Sequence, residues 1–374
     1  MLKTLNFFNR NYKALNLIEI SFSSLKYNFK YLSSLNKDIK IAPVLKSNAY
    51  GHGINVLAKK IDDLNAPFLC VDSLFEAYEL LKRNVKTKIL IMGYISPLSL
   101  KTKKLPFSFV VYDKERIDAL SKYQPHAKIH IFVDSGMHRE GVRLEDLPKL
   151  LEYLKSKTNL EVEGLMSHMA KSEDFNNPLT KKQIENFGKA RKIVEDFGIE
   201  PKWIHIANSS AILNYEKYGD SLGNMARVGL SFYGIDPQGK SNKLKPALKL
   251  TTYVSQIKDL LKGESVGYDF TFIAKNNMKI AILPIGYFDG IDRSLSNKGV
   301  VSVGNKYCKI IGKVSMNITV IDVTSVKNIK IGSKVVLFSN KRSDKNSVDS
   351  LGKGIPIPYE FLIHLSPFIK RIIR

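Results

Sequence analysis

The chain has 374 residues, 44% hydrophobic and 25% charged, a balance that suits a globular protein and excludes a disordered one. Its formal net charge is +23, from 58 Lys and Arg against 35 Asp and Glu. The cations are mostly lysines spread along the whole length, with no basic–aromatic run and no zinc-finger or helix-turn-helix pattern, so nucleic acid is set aside as a partner.

In chain order, short apolar or β-branched runs alternate with segments of helical period from residue 40 onward. The runs are KIAPVLK from Lys40, PFLCVDS from Pro67, KILIMGY from Lys88, FSFVVYD from Phe107, KIHIFVDS from Lys128, EVEGLMSH from Glu161, WIHIANSS from Trp203 and MARVGLSFYG from Met225. Helices are expected over Ile54–Leu64, Ser73–Arg83, Leu144–Leu154 and Thr180–Phe197, with a weak one over Ser96–Lys104 because of Pro97 and Pro106. Asp72 or Ser73 is placed to cap the second, with Glu76 near its third position. Eight strand–helix units with continuously apolar strands point to an α/β fold, a parallel sheet closed into a (β/α)8 TIM-type barrel, rather than an open doubly wound sheet.

Beyond about residue 240 helical periods become rare. Runs such as LKLTTYVSQI, KIAILPIGY, YCKIIGKVSM and SKVVLF follow one another, punctuated by Gly and Asn, and read as a mostly antiparallel β domain. The expected domains are a barrel over residues 11–240 and a β domain over 241–374, with residues 1–10 pairing with the latter. No continuous apolar core of signal-peptide length occurs in the first twenty residues and no stretch reaches membrane-spanning length, so a cytoplasmic location and no membrane partner are expected. Cys70 and Cys308, far apart inside apolar runs, read as buried thiols of a reducing compartment.

Barrel active sites lie at the C-terminal ends of the strands. Lys46 ends the first run; Asp134, Ser135 and Arg139 follow the fifth; His168 ends the sixth; Asn208 and Ser209 end the seventh; Arg227 and Gly229 lie in the eighth. One strand-end lysine opposite phosphate-binding residue types suggests a Schiff-base enzyme with a phosphorylated cofactor. Ser209 supplies a hydroxyl and Gly229 lets backbone N–H groups approach a phosphate. The alternative for Asn208-Ser209 is a plain helix cap. His126, His130, His138 and His364 show no metal-ligand spacing, so no metal is expected, and His52 and His205 read as structural.

The segment VLKSNAYGHG, Val44 to Gly53, resembles the cofactor-lysine signature of the alanine racemases. VDSGMHREGVR, GLMSHMA, HIANSSAIL, MARVGLSFYG, VGYDFTF, PIGYFDG, GKVSMN and IPYEF follow in the family's order and approximate spacing, covering nearly the whole chain from IEISFSSL near residue 18. The resemblance implies a pyridoxal 5'-phosphate enzyme that interconverts L- and D-alanine for peptidoglycan by a two-base mechanism. Lys46 then resembles the cofactor lysine and first base. Tyr268 resembles the opposite base, reaching into the neighbouring subunit of a head-to-tail homodimer. Tyr50, Ser209, Gly229 and Leu230 look like phosphate holders, with Asn208 beside them, and Tyr359 like a further phosphate and entrance residue. Arg227, supported by His168, resembles the arginine at the pyridine nitrogen. Arg139 resembles the partner of the phenolic oxygen and the substrate carboxylate, and Met316 the residue whose backbone N–H also holds that carboxylate.

The chain departs from the family at four places. Phe132 stands where many members carry a carbamylated lysine that orients the arginine matched by Arg139. His138 replaces a glycine, Lys313 an arginine and Asn317 an aspartate. The last two leave open a broader serine and alanine specificity. Three rivals are a related-barrel amino-acid decarboxylase, a non-enzymatic cofactor-carrying barrel protein and a nucleic-acid-binding protein. The first lacks its glycine-rich phosphate loop and late cysteine motif in this chain. The second has no C-terminal domain, which this chain has.

Overall fold

A computed structural model describes residues 13–157, 159–239, 243–351 and 359–374. The expected pairing of residues 1–10 lies outside the described residues. The contacts divide the chain into two compact units, one of residues 23–50 and 57–245, the other of residues 51–56, 246–374 and those up to Phe22.

Eight parallel strands make the barrel of the first unit: β1 (Lys40–Pro43), β2 (Leu69–Val71), β3 (Ile89–Ile91), β4 (Ser108–Val111), β5 (Lys128–Asp134), β6 (Glu161–Met166), β7 (Trp203–His205) and β8 (Met225–Val228). Each of the eight apolar runs supplies one. Strands β2 to β7 pair in sequence order, and β8 pairs with β1. Bridges between Val44 and Cys70 and between Ala207 and Ala226 close the ring. The interior is a packed core, as such barrels require: Ala42, Val44, Phe68, Cys70, Leu90, Val110, Phe132, Met166 and Met225 form one buried cluster.

Helices cover the strands, and their ends follow capping chemistry. The helix Leu74–Leu81 starts at Ser73, whose hydroxyl accepts the Glu76 N–H at 3.2 Å, while the Glu76 carboxylate accepts the Ser73 N–H at 3.3 Å. Pro178–Asp196 begins with a proline behind the Asn177 cap. The single helix expected over Ile54–Leu64 is instead two short turns, Ile54–Leu57 and Ile61–Leu64. The Asp62 carboxylate is turned away to accept the N–H groups of Lys86 and Thr87, both at 2.9 Å. That local bond competes with helix continuation.

The second unit is built on a six-stranded sheet. Its order is Lys306–Lys309, Val300–Val303, Lys334–Phe338, Leu248–Tyr253, Leu17–Ile20 and Lys370–Ile373, antiparallel except for the last pair. Leu17–Ile20 falls inside the range expected for the barrel, yet its alternating side chains serve this sheet. Gln256–Leu260, Met278–Leu283 and Thr319–Asp322 form a three-stranded antiparallel sheet. A two-stranded ribbon, Ser265–Val266 with Phe272–Ile273, carries residues 267–271 at its tip.

Candidate active site

In the first unit the chemistry-bearing side chains gather at the C-terminal ends of the strands. Lys46 follows β1 and opens an unusual turn: Ser47, Asn48, Ala49 and Tyr50 all have φ between 50 and 55°. Left-handed backbone costs a non-glycine residue roughly 1–2 kcal/mol, so the turn stores strain beside Lys46, as functional sites often do. It is held by the Ala49 N–H on Leu45 O at 2.8 Å and by the Tyr50 ring against Tyr233 at 5.3 Å between centroids.

The turn delivers the Tyr50 hydroxyl to Gly229. A Cβ on Gly229 would lie 2.5 Å from that oxygen, so only glycine admits it. Close by in the chain, the Ser231 N–H donates to Ser209 Oγ at 3.3 Å. Two hydroxyls and a side-chain-free backbone thus cluster as an anion cradle requires. Asn208 is committed differently. Its Oδ1 accepts from the Ala211 N–H at 3.1 Å and from Ser172 Oγ at 2.5 Å, so it caps the helix Ser209–Leu213. The cap reading holds for Asn208, while Ser209 keeps its hydroxyl toward residue 231.

Arg227 is 4% exposed and anchored by four hydrogen bonds. Its Nη1 donates to His205 Nδ1 and to His205 O at 3.0 Å, and its Nη2 to Ser167 O at 2.5 Å and to His168 Nδ1 at 3.2 Å. A guanidinium has only donors, so both imidazoles present a lone pair to it. Burial, then the charges of Arg227, Arg139 and Lys46, lower His168 to about 3. Burial also lowers Arg227 to about 10, still cationic at neutral pH. From sequence His205 reads as structural and His130 only as a residue without metal-ligand spacing. Both are part of this cluster, since His205 Nε2 meets His130 Nδ1 at 2.8 Å. The signal available was the alternation of inward positions along β5 and β7.

Arg139 lies on the loop after β5, and its Nε is 3.6 Å from Glu140. Phe132, where a carbamylated lysine was considered, is buried in the barrel core with its ring edge on Tyr112. His138 has φ 54°, the left-handed conformation a glycine would adopt freely. Here Asp134 stabilises it, accepting the His138 N–H and Nδ1–H, both at 3.0 Å.

In the second unit Tyr268 sits on the ribbon tip, 67% exposed, with Asp269 and Phe270 at positive φ. Lys313 pairs with Asp269. Met316 is exposed, and its carbonyl accepts the Phe288 N–H at 2.9 Å. Tyr359 precedes the helix Glu360–Ile363 and is half-buried; the IPYEF residues before it lie outside the described residues.

A parallel barrel with a strand-end lysine, a hydroxyl-lined cradle and a buried arginine, followed by an antiparallel domain, fits a pyridoxal-phosphate-dependent enzyme of the barrel type. The family models for the alanine racemase N-terminal and C-terminal domains match residues 20–237 and 247–373. The chain is 36% identical to alanine racemase 2 of Caldanaerobacter subterraneus subsp. tengcongensis, covering 95% of this chain and 94% of that protein. It is 34% identical to an alanine racemase of Borreliella burgdorferi, covering 95% and 96%. Among solved structures, the Bacillus anthracis alanine racemase with bound L-Ala-P superposes with TM-score 0.87 at 29% identity, over 97% of this chain and 96% of that one. The chain belongs to the alanine racemase family.

Proposed function

We propose that the protein interconverts L- and D-alanine with pyridoxal 5'-phosphate, and that this supplies D-alanine for peptidoglycan. The observation that carries the reading is the buried Arg227, held by two imidazole lone pairs and two carbonyls, in the same barrel as Lys46. The residues fit the cofactor. Lys46 offers an amine. Tyr50, Ser209 and the backbone at Gly229 and Leu230 offer a phosphate cradle that any Cβ at Gly229 would fill.

When bound, the cofactor acts as an electron sink that makes the substrate Cα–H acidic. Arg227, which has no proton to spare, would face its ring nitrogen and keep it unprotonated, which favours racemisation over transamination. Arg139 and the Met316 N–H would hold the substrate carboxylate. Lys46 Nζ would move the proton on one face and the Tyr268 hydroxyl on the other, so that removal and return need no rotation.

Tyr268 is read as serving the site of a second copy, which makes the working form a homodimer. Support comes from the exposed apolar surface of the second unit, where Phe270, Phe288, Met316 and Phe368 lie open. Apolar surface of that kind marks an interface. The two buried free thiols support a cytoplasmic location; no helix among the described residues is long and apolar enough to cross a membrane. The test is proton NMR of L-alanine and L-serine in D2O with the protein and pyridoxal phosphate, followed by chiral analysis. Loss of the α-proton signal with appearance of D-alanine is expected. A comparable rate on serine would establish the broader specificity raised by Asn317 and Lys313. Exchange without inversion would remove the two-base assignment, and no exchange at all would remove the enzyme reading.

A further inference from the structure

Strand β6 changes register against β5 midway. Ile129 pairs with Val162 but His130 pairs with Gly164, which leaves Glu163 as the extra residue of a bulge. Bulges re-aim side chains. Here Glu163 is buried with 3% exposure in the same barrel as an apolar core. Gly164 makes the adjoining space: a Cβ there would lie 2.1 Å from His130 Nδ1. The bulge and the glycine together seat one carboxylate beside one imidazole.

Four groups then follow one another with a single polarity. Arg227 Nη1 donates to His205 Nδ1, so His205 carries its proton on Nε2. That nitrogen meets His130 Nδ1 at 2.8 Å, so His130 also carries its proton on Nε2. His130 Nε2 faces Glu163 Oε2 at 3.6 Å, beyond hydrogen-bond range, so the last step is a contact between the ring N–H dipole and the carboxylate charge. The same Oε2 accepts from Ser108 Oγ at 2.8 Å, and the other oxygen, Oε1, accepts from Lys88 Nζ at 2.9 Å, with Lys128 Nζ at 3.8 Å. Burial raises the Glu163 carboxyl, but the His130 ring beside it and the hydrogen bonds from Lys88 and Ser108 outweigh it and hold it at about 2. Burial lowers both His130 and His205, in keeping with the lone pair that each Nδ1 presents to its donor.

We propose that Glu163 is a positioning residue for Arg227: by placing its negative charge at the far end, it favours the Nε2–H tautomers of His130 and His205 and so keeps a lone pair facing the guanidinium. The proposal rests on the reading that Arg227 faces the cofactor. The physical reason is directional. A glutamine at 163 can donate as well as accept, so the series can reverse. His205 would then turn an Nδ1–H toward a group that has only donors, and a buried donor left without an acceptor is costly.

The experiment is 15N NMR of the histidine rings in the holoenzyme, combined with the pyridoxal phosphate dissociation constant. In the wild type both rings should show a single protonated nitrogen, Nε2, unchanged between about pH 5.5 and 8.5, across the range where a free imidazole titrates. E163Q should add the Nδ1–H tautomer and raise the dissociation constant about tenfold or more, the scale for outer partners of a functional group. H130N should weaken the cofactor similarly, and E163Q should add nothing in that background, because residues acting through one series are not additive. Opposite or mixed tautomers in the wild type would overturn the proposal, whether or not the variants fold. So would unchanged tautomers and affinity in E163Q, or additive losses in the double variant. If the wild-type tautomers are as expected but Arg227→Leu binds pyridoxal phosphate normally, the underlying reading fails, and the proposal with it, through a separable result.

Discussion

The surroundings of Arg227 and those of Tyr268 are built on opposite principles. Around Arg227 the guanidinium donors are matched: they meet two imidazole lone pairs and two carbonyls within an apolar barrel. Such networks are rigid, because an unpaired buried group is expensive. Around Tyr268 the chain is an exposed ribbon tip, with Phe270 72% exposed and a salt bridge from Lys313 to Asp269 as its brace. The barrel side is arranged before any ligand arrives, whereas the ribbon side stands open. Damage to the first should therefore appear in stability and cofactor binding, and damage to the second in turnover alone.

The largest effect expected is from Lys46→Ala, which should lower racemisation by at least about 10⁴-fold, the upper range for a lost catalytic acid–base group. Tyr268→Phe sharpens the contrast. Racemisation should fall by about 10²–10⁴-fold while the thermal midpoint stays at the wild-type value, and the α-proton of one alanine enantiomer should still exchange with D2O. A lowered midpoint would place Tyr268 in the packing of its own unit instead.

Phe132→Ala tests the barrel side. It should cost about 3–5 kcal/mol of stability in denaturant melts, as large aromatic truncations in cores do. A small loss would mean that the core around Phe132 is slack, and that the position vacated by the family's modified lysine is not taken up by packing. The acid limb is gentler. His168 titrates near 3 in the fold against 6.5 for a free imidazole, and Glu163 near 2 against 4.5. In both cases the fold binds fewer protons than the unfolded chain. The stability is thus complete above pH 6.5 and is lost as pH falls, first toward 3 through His168 and then from 4.5 toward 2 through Glu163. The thermal midpoint should decline over that window and stay level above pH 7, and His168→Asn should flatten the upper part. Smallest is His138→Gly, which exchanges the Asp134 bond for freedom at positive φ and should change stability by under about 0.5 kcal/mol.

Much of this was legible in the residues. The eight apolar runs each became a barrel strand, because continuous burial on both faces leaves a continuous hydrophobic signature. Strand-end chemistry pointed to Lys46, His168, Ser209 and Arg227. What was hidden depends on geometry that periodicity does not carry. The bulge that turns Glu163 inward leaves no mark in composition, so nothing in the sequence joins His205, which reads as structural, to His130, which shows only that it lacks metal-ligand spacing. The left-handed turn over residues 47–50 contains a single glycine neighbour, Gly51, to announce it. The strand Leu17–Ile20 finds partners more than two hundred residues away, a pairing set by the second sheet rather than by anything local.

The central claim is that Lys46 of one copy works with Tyr268 of another. Mixing inactive Lys46→Ala with inactive Tyr268→Phe tests it directly. A mixed dimer would contain one site with both native residues, so equal amounts allowed to exchange should recover about a quarter of wild-type activity for a two-fold symmetric pair. No recovery after exchange, verified by mass-tagged subunits, would show that the two residues serve the same chain or that Tyr268 is not the second base.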